Sequence, residues 1–386
     1  MPAIGTGLID DIDILQNERV IDMDDAIAML DPDVSQFTTM LMRVARSGAD
    51  STKVEWLEDE LFPRLATVVS GGATDGATIT LGAGEGDYFR VHDLFRNART
   101  GVAAKVDVAT SSTVIDPGLA LGRVAFVAHA AADQLLIIGN AAAQGATLGT
   151  RKVTKRVAQL NYQQIFRSPY GFTRSLMASK LYGGPEPAKE RKKKAVEHKR
   201  GIEYTLFWGV KSLDTSGTEP RGQAGGLFEF VTSKVIDNNG ALSKTQLDTA
   251  MRSFLQNGEN NQVFFVSPLV AQAISGFLRD AWNPTTTGQR LWGAKVDGFI
   301  SGAYGYQIPV VVKRDWNDFS SASKMYGGWG FSVNMDAVSL STLRSTSLLR
   351  DRQANDADSY DEEYLTEFSV KIKHERKHGI LLGVTG

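Results

Sequence analysis

The stretch from residue 183 to residue 211 constrains the fold of this chain more than any other. It opens with Gly-Gly-Pro, and Pro185 suits the first position of a helix, where its missing N–H costs nothing. From Ala188 onward no proline or glycine occurs before Gly201, so one helix can extend to Val210, about 39 Å at 1.5 Å per residue. A helix of that length predicts a strut that other elements pack against.

The two halves of this predicted helix differ in polarity. Its first half carries seven basic residues and two glutamates between Lys189 and Arg200, whereas its end, around Phe207 and Trp208, is apolar nearly all round. We therefore expect one end in solvent and the other in a core. The basic run is either a solvated face or a surface that meets phosphates. A solvated surface helix of an ordinary α/β domain remains an alternative.

Size and composition exclude several classes of protein. The chain has 386 residues, 42% of them apolar, which is enough for two or three domains with real cores. There is no cysteine, so disulfides and thiolate metal sites are excluded. No apolar run approaches the 18 residues of a membrane span, and no signal peptide is visible. We expect a soluble intracellular protein with no membrane partner.

Residues 1–33 are strongly acidic. They hold nine acidic residues against the single base Arg19, with isoleucines and leucines interspersed. This composition is too charged for an independent core and too apolar for a plain tail, so we expect it to dock onto another surface. The aspartates could also bind a divalent cation, but no calcium-loop spacing is present. Asp33 is then predicted to cap a short helix that contains Phe37 and Leu41.

Residues 66–149 predict an inserted, β-rich module. Short apolar runs separated by glycine, asparagine and proline are typical of a small barrel or sandwich. The predicted strands are 78–81, 88–92, 102–108, 123–127 and 135–138. The glycines at 82, 84 and 86 suggest a phosphate loop, but the GxGxxG spacing is missing and no helix follows. We interpret them as a turn.

Residues 150–182 interleave basic and aromatic side chains. Such a pattern can indicate single-strand nucleic acid binding. It also suits a long two-stranded ribbon that reaches an acidic neighbour, and we favour this second interpretation because residues 1–33 supply that neighbour. Arg167 and Arg174 would then pair with the acidic segment, and replacing both with glutamate should impair assembly while leaving the subunit folded.

Residues 223–344 predict a separate α/β unit. Ser243 can cap a helix, residues 263–266 read as a buried strand, and Ser267-Pro268 opens a second helix. A long polar loop follows at 283–293. From Tyr360 onward, period-two alternation predicts a long closing strand.

One motif imitates an enzyme. Residues 374–378 read His-Glu-Arg-Lys-His, the H-E-x-x-H signature of zinc proteases. That chemistry needs a helix, because only there do two histidines four residues apart converge on one metal. We expect the motif to continue the closing strand, so we predict no metal, no cofactor and no catalytic residues. A zinc hydrolase that uses His374, Glu375 and His378 stays as the alternative from a different class.

The order of these parts resembles the major capsid protein fold shared by tailed bacteriophages, encapsulins and herpesvirus shells. The segments that carry the resemblance run through most of the chain after residue 30: 55–59 (EWLED), 161–167 (NYQQIFR), 197–203 (EHKRGIE), Ser267-Pro268 and the closing 367–379. None of them is a catalytic motif, so the likeness lies in their order and spacing.

The resemblance implies an α+β fold with named parts and an inserted small β module. The implied parts are an N-terminal arm (1–65), the inserted module (66–149), an extended β-ribbon loop (150–182), the spine helix of the peripheral domain (183–222), the axial domain (223–344) and the C-terminal strands of the peripheral domain (345–386). The candidate subunit contacts are Trp56, Glu58, Arg167, Arg174, Asn283 and Arg290. A cleaved scaffolding segment before residue 66 is not expected.

The resemblance further implies a structural capsid protein without enzymatic activity. Copies would form pentamers and hexamers of an icosahedral head that encloses phage double-stranded DNA, bound non-specifically. Other partners would be a portal and a cement or scaffolding protein. The location would be the virion, with assembly in the host cytoplasm. An encapsulin-like nanocompartment shell is the alternative with the same fold.

Overall fold

A computed structural model gives the structure of much of the chain. The described residues are 35–44, 46–146, 149, 151–179, 186–257, 261–278, 290–291, 294–295, 297–300, 307–316 and 327–385. The acidic segment 1–33, with its predicted Asp33 cap, and most of the polar loop 283–293 lie outside them. The chain divides into two compact units, one formed by Met1–Trp56 with Gln159–Gly386 and one formed by Leu57–Ala158.

The described residues contain six α-helices. They are α1 (Gln36–Val44), α2 (Arg174–Ala178), α3 (Glu186–Trp208), α4 (Leu227–Phe230), α5 (Lys244–Leu255) and α6 (Pro268–Leu278). The long predicted helix is therefore confirmed as α3. The capping box at Ser243 is also confirmed, because its hydroxyl accepts from the Gln246 N–H and its own N–H donates to the Gln246 side chain.

Twenty-two strands are found in the same residues. They are β1 (Arg46–Gly48), β2 (Lys53–Glu58), β3 (Leu65–Gly71), β4 (Ile79–Leu81), β5 (Asp93–Asn97), β6 (Ala103–Ala109), β7 (Val114–Pro117), β8 (Gln134–Asn140), β9 (Val157–Tyr162), β10 (Gln164–Thr173), β11 (Ser212–Asp214), β12 (Arg221–Gln223), β13 (Val235–Ala241), β14 (Gln262–Val266), β15 (Arg290–Leu291), β16 (Ala294–Lys295), β17 (Asp297–Ile300), β18 (Gln307–Val312), β19 (Gly330–Asn334), β20 (Val338–Leu349), β21 (Ser359–Ile372) and β22 (Gly379–Thr385).

The unit Leu57–Ala158 is a closed six-stranded barrel in the order β3-β4-β7-β6-β5-β8. Closure removes the unpaired edges that an open sheet of this size would expose. The interior is apolar, and the rings of Phe89 and Phe95 meet edge to face with centroids 6.0 Å apart. The unit is longer at both ends than the predicted module 66–149.

Two predicted barrel strands are wrong. The first, at 88–92, is replaced by a 3-10 turn over Glu85–Tyr88 and by His92 in the left-handed region, with φ 71°. The second, at 123–127, is irregular. The turn predicted at the glycines is confirmed, since Gly84 has φ 78° and precedes that 3-10 turn.

Two larger sheets make up most of the other unit. A four-stranded sheet has the order β1-β20-β21-β10, and a six-stranded sheet has the order β13-β22-β19-β14-β18-β17. Between them, the aromatic end of α3 enters an apolar core, where the Phe207 ring lies 4.9 Å from that of Phe37 and 4.8 Å from that of Trp316. A second core packs α5 and α6 against the six-stranded sheet.

The predicted ribbon at 150–182 does not pair with itself. Its strand β9 forms a two-stranded sheet with β2, and β10 pairs antiparallel with β21 over ten residues, from Gln164↔Phe368 to Thr173↔Ser359. The segment is thus a run of two strands whose partners come from distant parts of the sequence. The interleaved basic and aromatic residues predicted an extended segment but not these partners.

Candidate subunit-contact surface and its framework

A row of buried carboxylates on β21 holds the four-stranded sheet and α3 together. Glu362, Glu363 and Glu367 each expose 5% or less of their surface. Burying an ionised carboxylate is costly unless cations and hydrogen bonds compensate it. Each of the three is compensated by arginines from neighbouring elements.

Glu362 links β21 to the solvated half of α3. Arg191 donates Nε and Nη2 to its two oxygens at 2.6 Å and 2.5 Å, and the Tyr170 hydroxyl donates at 2.6 Å. Burial alone would raise the pKa of Glu362, but the hydrogen bonds from Arg191, Tyr170 and Tyr360 outweigh it and hold the pKa below its usual range. The fork geometry fixes where α3 crosses the sheet.

Glu363 accounts for Arg167, one of the predicted contact residues. Arg167 donates Nε to one oxygen of Glu363 at 2.8 Å, and its Nη2 lies 2.7 Å from the same oxygen. Arg352 approaches the other oxygen at 3.3 Å. Arg344 makes the equivalent bond to Glu367 at 2.6 Å. Arg167 therefore serves the fold of its own subunit. An Arg167→Glu change would set one carboxylate against another, so we expect it to lower the stability of the subunit as well as to remove any contact that the 57% exposed side chain makes.

Arg174 remains a predicted subunit-contact residue. It lies at the start of α2, its side chain is 65% exposed, and its ion pair with Asp358 is long at 3.7 Å. An exposed pair of that length contributes little to the fold.

The other predicted contact residues fall in different places. Trp56 is 7% exposed and packs against Phe230 of the same chain, with ring centroids 5.7 Å apart, so its side chain is engaged inside the subunit. Glu58 is half-buried at the end of β2. Asn283 lies outside the described residues. Arg290 starts β15, but its side chain is not among those described.

Three aromatic side chains of the 150–182 segment pack inside the subunit. Tyr170 and Phe172 expose 9% and 8% of their surface, and Phe166 stacks on Phe368 with the rings 5° from parallel. Single-strand binding needs exposed rings on which bases can stack. This arrangement favours the structural interpretation of the basic-aromatic pattern.

The basic run 189–200, predicted to be a solvated face or a surface that meets phosphates, contains one buried side chain, His198. It is 3% exposed, and its ring nitrogens lie 2.8 Å from the Ser168 and Thr366 hydroxyls. Burial lowers its pKa because the charged form loses hydration. The histidine joins α3 to β10 and β21, although its neighbours Glu197 and Lys199 in the sequence are exposed.

The H-E-x-x-H segment does not form an α-helix, and the predicted continuous strand is also wrong. Strand β21 ends at Ile372, His374 has φ 53°, and residues Glu375–Lys377 make one 3-10 turn. Glu375 accepts from the Thr232 N–H and hydroxyl at 3.1 Å and 2.6 Å. His378 is fully buried and accepts from the Asn334 N–H at 3.3 Å, and burial lowers its pKa to about 4. These roles are structural.

A buried ion pair that sequence reasoning missed fixes the start of α1. Glu203 of α3 accepts from the Phe37 and Thr38 N–H groups at 2.9 Å and 2.7 Å, and from the Lys313 ammonium at 2.8 Å. Both Glu203 and Lys313 are at most 1% exposed. The carboxylate thus satisfies helix N–H groups that have no partner within α1, close to the positive end of its dipole.

The exposed side of α3 forms what we call the cationic face. It consists of the exposed Lys192, Lys193, Lys199 and Arg200 and of Lys189, which is half-buried. At 100° per residue these five side chains fall within about 120° of arc.

No metal-ligand cluster of three or more His, Asp or Glu side chains occurs in the part of the chain that the structure describes. In that part, no helix combines the length and apolar character needed to cross a membrane.

Comparison with known proteins decides the family of this chain. The sequence matches the SU10 major capsid protein family over residues 9–385. The chain belongs to this family. The predicted fold class, the structural role and the location in the virion capsid are thereby confirmed, and the match favours a phage capsid over an encapsulin shell.

Individual relatives are distant. The major capsid protein of Pseudomonas phage PaMx41 is 24% identical over 178 residues, which is 46% of this chain and 42% of that protein, so the match spans less than half of the relative's length. A solved structure from Mycobacterium phage Bobi covers 98% of this chain and all of its own at 8% identity, with a TM-score of 0.52, and shows the same fold. The SrpI encapsulin complex of Synechococcus elongatus covers 60% of this chain and 78% of its own at 11% identity, with a TM-score of 0.44, which is too low to support an argument.

Proposed function

We propose that copies of this chain assemble into pentamers and hexamers that close into an icosahedral head around double-stranded DNA. The observation that carries the proposal is the match to a major capsid protein family over residues 9–385. Head-to-tail contacts close rings when the rotation is five-fold or six-fold, and one subunit can serve both.

The buried framework supports this role because a shell subunit must keep its shape under load from several neighbours. Arg191, Arg167 and Arg344 each bind a carboxylate of the same strand, β21. The Arg191 pair is bidentate, which fixes orientation as well as distance. The α3 helix and the four-stranded sheet therefore act as one rigid body that presents its loops to neighbouring copies.

We assign the segments as the resemblance implies. Residues 1–65 serve as the arm that reaches neighbouring subunits, 150–182 as the extended loop, and 183–222 with 345–386 as the peripheral domain. Residues 223–344 form the axial domain around the ring axes, with Asn283 and Arg290 in the loop nearest to it. Arms and loops that engage several partners multiply modest individual contacts.

Arg174 is the residue with which to test subunit contact. We expect Arg174→Glu to reduce the yield of closed particles, scored by negative-stain microscopy of the purified full chain, while the melting temperature stays at the wild-type value. Lys244→Glu is the matched control, since it makes the same charge reversal at an exposed site in the first turn of α5. Equal particle yields from both variants would remove Arg174 from the contact surface.

A further inference from the structure

The cationic face of α3 has no acidic partner of its own over most of its area. Among the ion pairs of the described residues, none involves Lys189, Lys192 or Lys199. Lys193 approaches Glu190 only to 4.0 Å, and Arg200 lies over the Tyr204 ring. Of the other acidic residues of the helix whose side chains are described, Glu197 binds Lys194 and Glu203 is buried against Lys313.

The most acidic segment of the chain is attached beside this face. Residues 1–33 carry nine acidic residues and one base. The described chain begins at Ser35, and the Phe37 and Thr38 N–H groups that follow are held by Glu203 of α3 itself. Along the helix axis Glu203 is about 6 Å from Lys199 and about 21 Å from Lys189. Thirty-four residues can extend about 110 Å, so reach does not limit contact.

The arginines expected to receive the acidic segment already have acidic neighbours. Arg167 is bound to buried Glu363, and Arg174 lies 3.7 Å from Asp358. The cationic face is therefore the basic surface near the attachment point that offers several cations without acidic partners. Because the segment is joined to α1 in the same chain, its effective concentration at the face is in the millimolar range.

We propose that residues 1–33 dock on the cationic face of α3 in the same copy of the chain. The acidic side chains lie against Lys189, Lys192, Lys193, Lys199 and Arg200, and the contact is electrostatic, so salt weakens it. In the unassembled subunit this docking holds the segment back from neighbouring copies and screens the helix from other polyanions. The inference rests on contacts within one chain and stands apart from the proposed shell.

The sequence supplies a reporter for docking. Arg19 is the single basic residue before Arg43, so trypsin can cut the first 42 residues only after Arg19. We compare the cleavage rate at Arg19 in the full, unassembled wild-type chain with that in Lys192→Glu/Lys199→Glu. We expect the variant to be cut about fivefold faster, the change that two exposed ion pairs of ordinary strength produce.

The matched control is Lys155→Glu/Lys244→Glu, which changes the net charge equally at two exposed lysines outside the cationic face. We expect it to be cut at the wild-type rate. Sodium chloride at 0.5 M should raise the wild-type rate toward that of the face variant, relative to the control in the same salt. Equal rates in wild type and the face variant at low salt would overturn the proposal.

A different occupant would leave a different result. If Lys192→Glu/Lys199→Glu left the Arg19 cleavage rate unchanged but lost affinity for a short DNA duplex, the face would belong to DNA and the proposal would fail. Particle formation is scored separately by microscopy. Absence of particles from the wild-type chain would count against the proposed shell and would not alter the Arg19 result.

Discussion

The two halves of α3 use charge in opposite ways. From Ile202 to Trp208 the helix is packed into an aromatic core, and its one charged residue there, Glu203, is buried with Lys313. From Lys189 to Arg200 the charges lie mostly in solvent, apart from Arg191, which is committed to Glu362. The same residue types therefore hold the fold at one end and remain available for contact at the other.

The difference shows that exposure, more than charge itself, decides what a charged residue contributes. A buried ion pair cannot lose one member without leaving an uncompensated charge in a medium of low polarity. An exposed lysine loses little when it is removed because water solvates either state. We therefore expect substitutions at the charges of the two halves to change the free energy of unfolding by amounts that differ severalfold.

The largest effect is expected at the buried end. Lys313→Met removes the cation that lies 2.8 Å from Glu203 and leaves the carboxylate buried. We expect the free energy of unfolding to fall by about 3–5 kcal/mol. Urea unfolding followed by tryptophan fluorescence reports on the compact unit that contains Glu203 and Lys313, because all six tryptophans lie outside the barrel unit.

A double variant sharpens that prediction. Glu203→Gln/Lys313→Met removes both charges of this pair, so it should lose less stability than Lys313→Met alone, because Glu203 no longer stays behind as a buried charge. Asp315, 3.7 Å from Lys313, loses its cation equally in both variants. If the double variant lost as much stability as Glu203→Gln and Lys313→Met lose together as single variants, the ion pair would not be the cause.

The next effect is a dependence of stability on pH. Burial lowers the pKa of His378 to about 4 and also lowers that of His198, whereas an unfolded histidine titrates near 6.5. The unfolded chain therefore binds protons first as the pH falls below 6.5. The contribution of these two histidines to the free energy of unfolding should be constant well above that pH and should decline below it.

Between pH 7.5 and pH 5.5 the expected loss is about 1 kcal/mol for His378, from urea unfolding followed by fluorescence. A His378→Gln variant should be less stable at pH 7.5 but should show a flatter dependence over this range. Parallel curves for wild type and variant would mean that the decline has another origin.

The smallest effect is expected on the cationic face. Lys192→Ala/Lys199→Ala removes two exposed charges from a helix, and alanine favours helix at least as well as lysine. The free energy of unfolding should stay within about 0.5 kcal/mol of wild type in the same assay. A loss above about 1 kcal/mol would show that the face is held within the subunit, and the contrast between the two halves would fail.

Local sequence signals predicted local structure well. The capping box at Ser243 and the helix opened by Ser267-Pro268 depend on residues within a few positions, and both are found as expected. The apolar end of α3 was visible from Phe207 and Trp208. The resemblance to tailed-phage capsid proteins, drawn from the order of such parts, identified the family.

Long-range pairing could not be predicted in the same way. Glu203 and Lys313 are 110 residues apart, and nothing in their neighbourhoods marks them as partners. Arg167 was read as a surface cation because its partner Glu363 is 196 residues away. His198 has charged neighbours in sequence, yet its own face of α3 is buried. A strand pattern shows which residues share a face but not which strand lies beside them.

The central claim is that this chain builds a closed shell from copies of itself. Electron cryo-microscopy of the purified full chain, or of particles from its native source, tests it most directly. The account predicts hollow polyhedral particles whose walls resolve into five-membered and six-membered rings of this fold. A chain that stays monomeric or dimeric under every assembly condition would contradict it.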